Sequence, residues 1–236
     1  MAATIRIAML SGPRNISTTI MRSFENRPDT VVCDEPFYAC YLKASGAQHP
    51  MRAEIMASQS ADWSDVSAAL RARNAAPISF EKHISFHFNL APSFDWLDGA
   101  RVFHLIRDPH AMVASYKNKL DDISPIIDSY RLQRQLYEQA PAPVVDASDV
   151  LTRPEPVLRN LCKALDIPFS QDMLSWPPGP RDSDGPWAPH WYDAVESSTG
   201  FRRFEPRKIN LPPGLEDVAD ACADDYAFFH SRRLGA

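Results

Sequence analysis

A short apolar run, Ile5-Arg6-Ile7-Ala8-Met9-Leu10, leads straight into Ser11-Gly12-Pro13-Arg14-Asn15-Ile16-Ser17-Thr18-Thr19. Helical spacing then resumes at Ile20-Met21-Arg22-Ser23-Phe24. The first run is β-branched and short, as a buried strand is. Glycine, proline and small polar residues end it. Strand, phosphate-sized loop and helix, in that order, are the plan of a P-loop. Backbone N–H groups of the loop and the N-terminus of the helix together attract an anion.

The loop nearly follows the nucleotide-triphosphate spacing G-x-x-x-x-G-K-[ST]. Gly12 and Thr19 fall on its first and last positions, Ser17 replaces the second glycine, and Thr18 replaces the lysine. ATPases use that lysine on the β- and γ-phosphates. Here Arg14 stands earlier in the loop instead. The stretch suits a phosphate-like group and not ordinary ATP hydrolysis. The alternative reading is a Gly-Pro turn whose helix is capped by Ser17 or Thr18.

A chain of 236 residues buries one substantial core, so a single domain over 1–236 is expected. Its net charge of -5 points to neither nucleic acid nor an anionic membrane, so any anion site must be made locally. Arg6 interrupts the first apolar run and Gly12-Pro13 ends it, which reads as no signal peptide, no membrane span and a cytoplasmic protein. Cys33, Cys40, Cys162 and Cys222 have no C-x-x-C spacing and read as free thiols. The 21 prolines, most of them from Pro141 onward, predict a loop-rich C-terminal third, with a cap over about 170–212.

Along the chain, a helix is expected over Ser17–Asn26 and a second buried strand at Thr30–Cys33. That strand runs into Asp34-Glu35-Pro36-Phe37-Tyr38. Carboxylates at strand C-termini face the ligand crevice of α/β sheets, so this acidic pair either holds magnesium or supplies a general base; for Asp34 a helix N-cap is the plainer role. Residues 39–76 read as helical and irregular, with apolar stripes at Tyr38, Tyr41 and Leu42 and at Trp63, Val66 and Leu70. A third strand, Pro77–His83, ends in Lys82 and His83, suited to charge stabilisation and proton transfer. His83 and His87 stand one helical turn apart, but no third ligand stands at metal spacing, so no metal is assigned. His87, between Phe86 and Phe88, reads as packing.

Phe94–Gly99 reads as a short helix and turn, followed by a fourth strand at Arg101–Ile106. Arg107-Asp108-Pro109 ends it, with a helix through Tyr116 to Leu120. Arg107 and Ser115, eight residues apart across that turn and helix, can share one phosphate. A helix over Ile126–Gln139, a strand at Pro143–Asp146, a helix over Glu155–Leu165 and a closing helix over Gly214–Arg232 follow. Strands alternating with helices make an α/β fold, a three-layer sandwich about a mostly parallel five-stranded sheet. In the proline-rich third, Arg202 and Arg203 form a basic pair among small polar residues, either a phosphate clamp or a solvated surface loop.

Together these pieces resemble the sulfotransferases that use 3'-phosphoadenosine 5'-phosphosulfate (PAPS). Pro13-Arg14-Asn15-Ile16-Ser17-Thr18-Thr19 is similar to that family's 5'-phosphosulfate loop. Arg107 through Ser115 reproduces its R-x7-S spacing, Lys82-His83 is similar to its K-T-H stretch, and Thr199-Gly200-Phe201-Arg202-Arg203 to its late basic loop. Two departures stand out: the first loop has one residue more before the threonine pair, and Lys82 and His83 are adjacent where the family has a residue between.

The resemblance implies PAPS as donor and adenosine 3',5'-bisphosphate (PAP) as product. Gly12 through Thr19 would hold the 5'-phosphosulfate, and Arg107, Ser115 and Arg202 or Arg203 the 3'-phosphate. Arg14 and Lys82 would stabilise the leaving group. Glu35 is the first choice of base and His83 the second. Aromatic residues at Tyr38, Tyr41, Trp187, Trp191 and Tyr192 favour a small organic acceptor carrying a hydroxyl or amine. A homodimer is compatible with this reading. Two other readings stay open: a P-loop kinase or NTP hydrolase, and a degenerate domain that only binds a nucleotide.

Overall fold

In a computed structural model that describes residues 4–72, 76–117, 119, 122–205 and 209–235, the chain is built on five parallel strands. These are β1 (Ile5–Ser11), β2 (Thr30–Asp34), β3 (Ile78–Ile84), β4 (Arg101–Ile106) and β5 (Val144–Asp146), in the order β2-β3-β1-β4-β5. The sheet is parallel throughout, where a mostly parallel one was expected. β1 lies at the centre and is paired on both edges, with Ile7 level with Phe80 on one side and Arg101 on the other.

A strand buried on both faces reads as a continuous apolar run, and β1 feeds both layers by alternation. Ile7 and Met9 join Phe24, Phe80 and Leu158 on one face, while Ala8 and Leu10 join Phe37, Trp96 and Leu132 on the other. The first face is covered by α1 (Ser17–Glu25) and, after α2 (Tyr38–Ser45), α3 (Arg52–Ser58), α4 (Trp63–Arg71), α5 (Pro109–Lys117), α6 (Pro125–Gln139) and α7 (Ala147–Thr152), by α8 (Pro154–Ala164). The second face is covered by α4, α6 and the short 3₁₀ turn Asp95–Leu97. The three layers place every strand's C-terminal end at one rim.

The expected helix through Leu120 is seen to Lys117, and Leu120 lies outside the described residues. The C-terminal helix expected over Gly214–Arg232 is two helices, α11 (Pro213–Asp220) and α12 (Ala223–His230), which turn at Ala221–Cys222. That break lets Ala219, Cys222 and Phe229 all reach the same apolar cluster as Ile106 and Val144. Among the described residues between α8 and α11, the chain is irregular apart from a 3₁₀ turn and two one-turn helices, α9 (Ala188–Trp191) and α10 (Asp193–Glu196). This segment is nevertheless anchored: buried Arg22 of α1 binds both carboxylate oxygens of Asp184 at 2.6 Å. No helix of the described residues is long and apolar enough to cross a membrane.

Candidate active site

A cavity of about 240 Å³ opens at the C-terminal rim of β1, β2, β3 and β4, roofed by the irregular C-terminal segment. Its floor is the loop after β1. Arg14 and Ile16 both adopt left-handed backbone conformations, with φ of 62° and 60°. Alternating hands of this kind curl successive N–H groups into an anion-binding nest. Ile16 is also the residue before α1, and its side chain cannot cap the helix. The first bond of the helix ladder runs from Ile20 N to Ile16 O, so the amides of Ser17, Thr18 and Thr19 lie outside that ladder. Neither Ser17 nor Thr18 is the cap, because Ser17 is already the first residue of the helix and Ile16 holds the cap position.

Not every residue of this loop faces the cavity. Pro13, Arg14, Ile16, Ser17, Thr18 and Thr19 line it. Asn15 turns the other way, and its Nδ2 donates to Leu105 O on β4 at 3.0 Å; it fastens the loop to the sheet rather than holding a ligand. Gly12 sits below the rim, where an added Cβ would lie 2.6 Å from Met112 Cε and 3.2 Å from Asn15 Nδ2. Its contribution is the close approach of the turn to α5.

Three basic side chains converge above the loop. Arg14 Nε donates to Ser115 Oγ at 3.0 Å, and Arg107 Nη1 donates to Arg14 O at 2.6 Å. Among the described residues neither guanidinium forms an ion pair, and both are mostly buried. Burial holds both below the usual arginine range, and Arg14 adds repulsion at Arg107. Two desolvated, unpaired positive charges this close favour an anion between them. Arg202 reaches the same cavity and donates to Ala194 O and Ser197 Oγ, both at 3.3 Å. Arg203 is exposed and does not line it.

Acidic and aromatic groups build the far half. Glu35 follows β2 with φ 42°, held there by its own N–H to Lys82 O at 2.9 Å and by Gln59 Nε2 donating to its carbonyl at 3.1 Å. Lys82 is only 1% exposed, and its Nζ donates to Asp34 Oδ1 at 2.8 Å, Glu35 Oε1 at 2.6 Å and Tyr192 Oη at 2.6 Å. Tyr192 Oη in turn donates to Asp34 Oδ2 at 2.6 Å and accepts from Trp187 Nε1 at 2.9 Å.

One ammonium shared by two carboxylates does not compensate both. Burial pushes the Glu35 carboxyl up; Lys82 pulls it back and Asp34 pushes it further, leaving it at about 7. Burial opposes the charge of Lys82, but Asp34 and Glu35 outweigh it and hold the ammonium above its usual value. A carboxyl poised near neutrality beside a fixed cation is suited to take a proton. Lys82 also occupies the space between Asp34 and Glu35 that a bridging magnesium would need.

His83 is not at this site. Phe80 stacks on Phe24 of α1 at 4.3 Å, and strand alternation puts Lys82 on that side and His83 on the other. There His83 lies 3.3 Å from Glu81 Oε2 and packs on Trp96 and Phe37. The base assigned to it is therefore misplaced, and with it any pairing of His83 and His87 on one metal.

His87, read as packing, lines the cavity instead. β3 ends at Ile84, and the 3₁₀ turn Ser85–Phe88 swings His87 back over Glu35. Neither residue spacing nor composition signals that turn. Tyr38, Trp191 and Tyr192 line the cavity as the aromatic pattern suggested, joined by Tyr116 and His49; Trp187 stands behind Tyr192.

Comparison with known proteins fits this arrangement. The model of the "Sulfotransferase domain" family matches residues 5–227. Two curated relatives from Arabidopsis thaliana are 32% and 34% identical over 223 and 198 residues: branched-chain-amino-acid aminotransferase-like proteins 2 and 1. These stretches are 92% and 81% of this chain but only 40% and 35% of the two relatives, so the chain spans well under half their length. Among solved structures, the sulfotransferase domain from the Synechococcus PCC 7002 olefin synthase superposes with a TM-score of 0.58 at 18% identity, covering 94% of this chain and 96% of that one. That likeness concerns the fold.

Proposed function

The chain belongs to the sulfotransferase-domain family, and from that premise we propose that it moves a sulfuryl group from PAPS to a hydroxyl or amine of a small organic acceptor, releasing PAP. The observation that carries this reading is the division of one cavity into two halves. Arg14, Arg107 and the uncapped start of α1 form a cationic half, and Glu35 and the aromatic residues form the other, with Lys82 at the join.

When bound, the donor supplies the activated sulfuryl group and a phosphate leaving group. The nest at Arg14–Ile16 and the amides of Ser17, Thr18 and Thr19 would hold its 5'-phosphosulfate. Arg107, Ser115 and Arg202 would bind the 3'-phosphate, the group that separates this donor from ATP. Glu35 Oε2, the oxygen not engaged by Lys82, would take the proton of the acceptor. Lys82 would balance the charge that grows on the departing phosphate, as positioned cations do in phosphoryl transfer. Arg14, pinned by Ser115 and lying 5.9 Å from the ring of Trp191, would bridge donor and acceptor halves.

The test is calorimetric. PAP should bind more tightly than ADP or ATP-Mg. Arg107→Ala removes one charge-assisted partner, a loss of about 1.5–3 kcal/mol or roughly ten- to hundred-fold in affinity. Tighter binding of ATP-Mg by the wild-type chain would favour a kinase instead, and binding of none of the three would favour a degenerate domain. Transfer of ³⁵S from labelled PAPS, lost in Glu35→Gln, completes the assignment. That the chain acts as one domain, in the cytoplasm and alone or as a homodimer, is part of the same proposal.

A further inference from the structure

Resting on that reading, we propose that Tyr192 is a positioning residue for the base: its hydroxyl, brought in by the roof of the cavity, fixes how the Lys82 ammonium is divided between Asp34 and Glu35. The direction of every bond in this cluster follows from which groups can donate. An ammonium has three N–H bonds and no lone pair, an indole N–H only donates, and an ionised carboxylate only accepts. Lys82 spends its three N–H bonds on Asp34 Oδ1 at 2.8 Å and on Glu35 Oε1 and Tyr192 Oη at 2.6 Å each. Trp187 Nε1 donates to the same Oη at 2.9 Å, so the one hydrogen of the hydroxyl goes to Asp34 Oδ2 at 2.6 Å. Tyr192 Oη accepts twice and donates once, and its capacity is full.

That hydroxyl holds one N–H of Lys82 and takes up part of the charge of Asp34. Without it, Asp34 Oδ2 keeps a long contact from Gly185 N at 3.4 Å. A less satisfied Asp34 competes harder for the shared ammonium and repels Glu35 more. Lys82 then moves toward Asp34, and Glu35 loses part of the cation that favours its charged form.

The roof delivers Tyr192 with little freedom. Its N–H donates to Ala188 O at 2.8 Å, closing α9, and its carbonyl accepts from Val195 N and Glu196 N at 2.9 Å, opening α10. Its ring faces Lys82, whose Nζ lies 4.8 Å from the ring centroid. The irregular segment therefore completes the cluster as well as covering the cavity.

The groups facing Glu35 are Asp34 on β2, Lys82 on β3, Tyr38 on α2, Tyr116 on α5, His87 at 3.5 Å and Tyr192. Burial keeps His87 neutral and the three phenols protonated. Of these groups, Asp34 and Lys82 carry the charge that acts on Glu35.

The readout is the Glu35 carboxyl itself, followed by ¹³C NMR in glutamate-labelled protein and assigned with Glu35→Gln. The wild-type midpoint is expected at about 7. Tyr192→Phe keeps the ring and should raise the midpoint by about one pH unit, an about ten-fold change in proton affinity and the scale of one hydrogen bond to a charged group. PAP affinity by calorimetry should stay within about two-fold of wild type. In protein carrying Asp34→Asn, Tyr192→Phe should move the midpoint less than about a third as far, because the hydroxyl acts through Asp34. Should Tyr192→Phe alone not fold, Asp34→Asn with and without it decides, and midpoints a full unit apart would overturn the proposal. So would a midpoint unmoved or lowered by Tyr192→Phe, an equal shift in both backgrounds, or a large loss of PAP affinity, which would make Tyr192 a prop of the roof alone. Failure of the wild-type chain to bind PAP would instead defeat the sulfotransferase reading, and the Glu35 midpoints would still decide the role of Tyr192.

Discussion

Glu35→Gln should change how stability depends on pH, and by an amount the site itself specifies. The Glu35 carboxyl is raised from 4.5 to about 7 by burial and by Asp34, against the pull of Lys82. A carboxyl raised on folding ionises first in the unfolded chain. Its contribution to stability is full below pH 4.5, declines as pH rises toward 7, and is lost above that. The gap corresponds to about 3 kcal/mol at about 1.4 kcal/mol per pKa unit. The wild-type curve alone will not display it. His49, His83, His87 and His104 are all held low by burial, so they remove stability as pH falls below about 6.5 and slope the opposite way. Lys82, raised, stays charged across the whole window.

The difference between wild type and Glu35→Gln cancels those common terms. Urea unfolding at pH 5, 6, 7 and 8 should find the two proteins close at pH 5, with the variant ahead by about 3 kcal/mol at pH 8. A difference that stays constant across this range would refute the argument that Glu35 is poised near neutrality.

Asp34→Asn should shift the acidic limb of the transfer rate to lower pH. Both carboxylates meet one ammonium, so they lie within about 5 Å, where a unit charge at an effective dielectric of about 20 contributes roughly 3 kcal/mol, or up to about two pKa units. The pH profile of kcat/KM reads it, and an unmoved limb counts against Glu35 as the base. Gly185→Ala should loosen the roof of the cavity, because the new Cβ would fall 2.2 Å from the ring of Trp187, which holds Tyr192; a loss of about 1–3 kcal/mol by urea unfolding is expected for such overpacking. His83→Gln should lower stability through its contacts with Trp96 and Phe37 while kcat changes less than about three-fold. A large fall in kcat at full PAP affinity would return His83 to the mechanism.

Much of the frame is legible in the residues because strand parity and strand ends are local. β4 falls where its apolar run predicts, and Glu35 and Arg107 stand just past strand ends, where a parallel sheet presents its ligands. What escapes is decided by distant contacts. Parity within β3 turns His83 away, yet parity has a sign only once Phe80 is known to pack on Phe24. Asn15 sits in mid-loop and looks like a ligand, but its amide finds the Leu105 carbonyl, ninety residues away. His87 depends on a 3₁₀ turn between two phenylalanines, and its flanks are those of a core residue.

Strain is distributed in the same way. Among the described residues five non-glycine positions have positive φ, and three of them, Arg14, Ile16 and Glu35, line the cavity. Each such conformation costs about 1–3 kcal/mol and persists only where the surroundings over-determine it. Arg107 and Asn15 pin the loop from two sides, and Lys82 O and Gln59 pin Glu35. Glycine would relieve the strain at all three places but would delete a guanidinium, a wall and a carboxylate. Arg14 supplies charge to the cationic half, Ile16 carries the chain into α1, and Glu35 places its free Oε2 before His87. The backbone bends unfavourably where a side chain must point into the cavity from the inside of a turn. That ties the stability of the fold to the geometry of the site: whatever loosens the pins at Asn15 or Gln59 should misplace Arg14 or Glu35 before it unfolds the sheet.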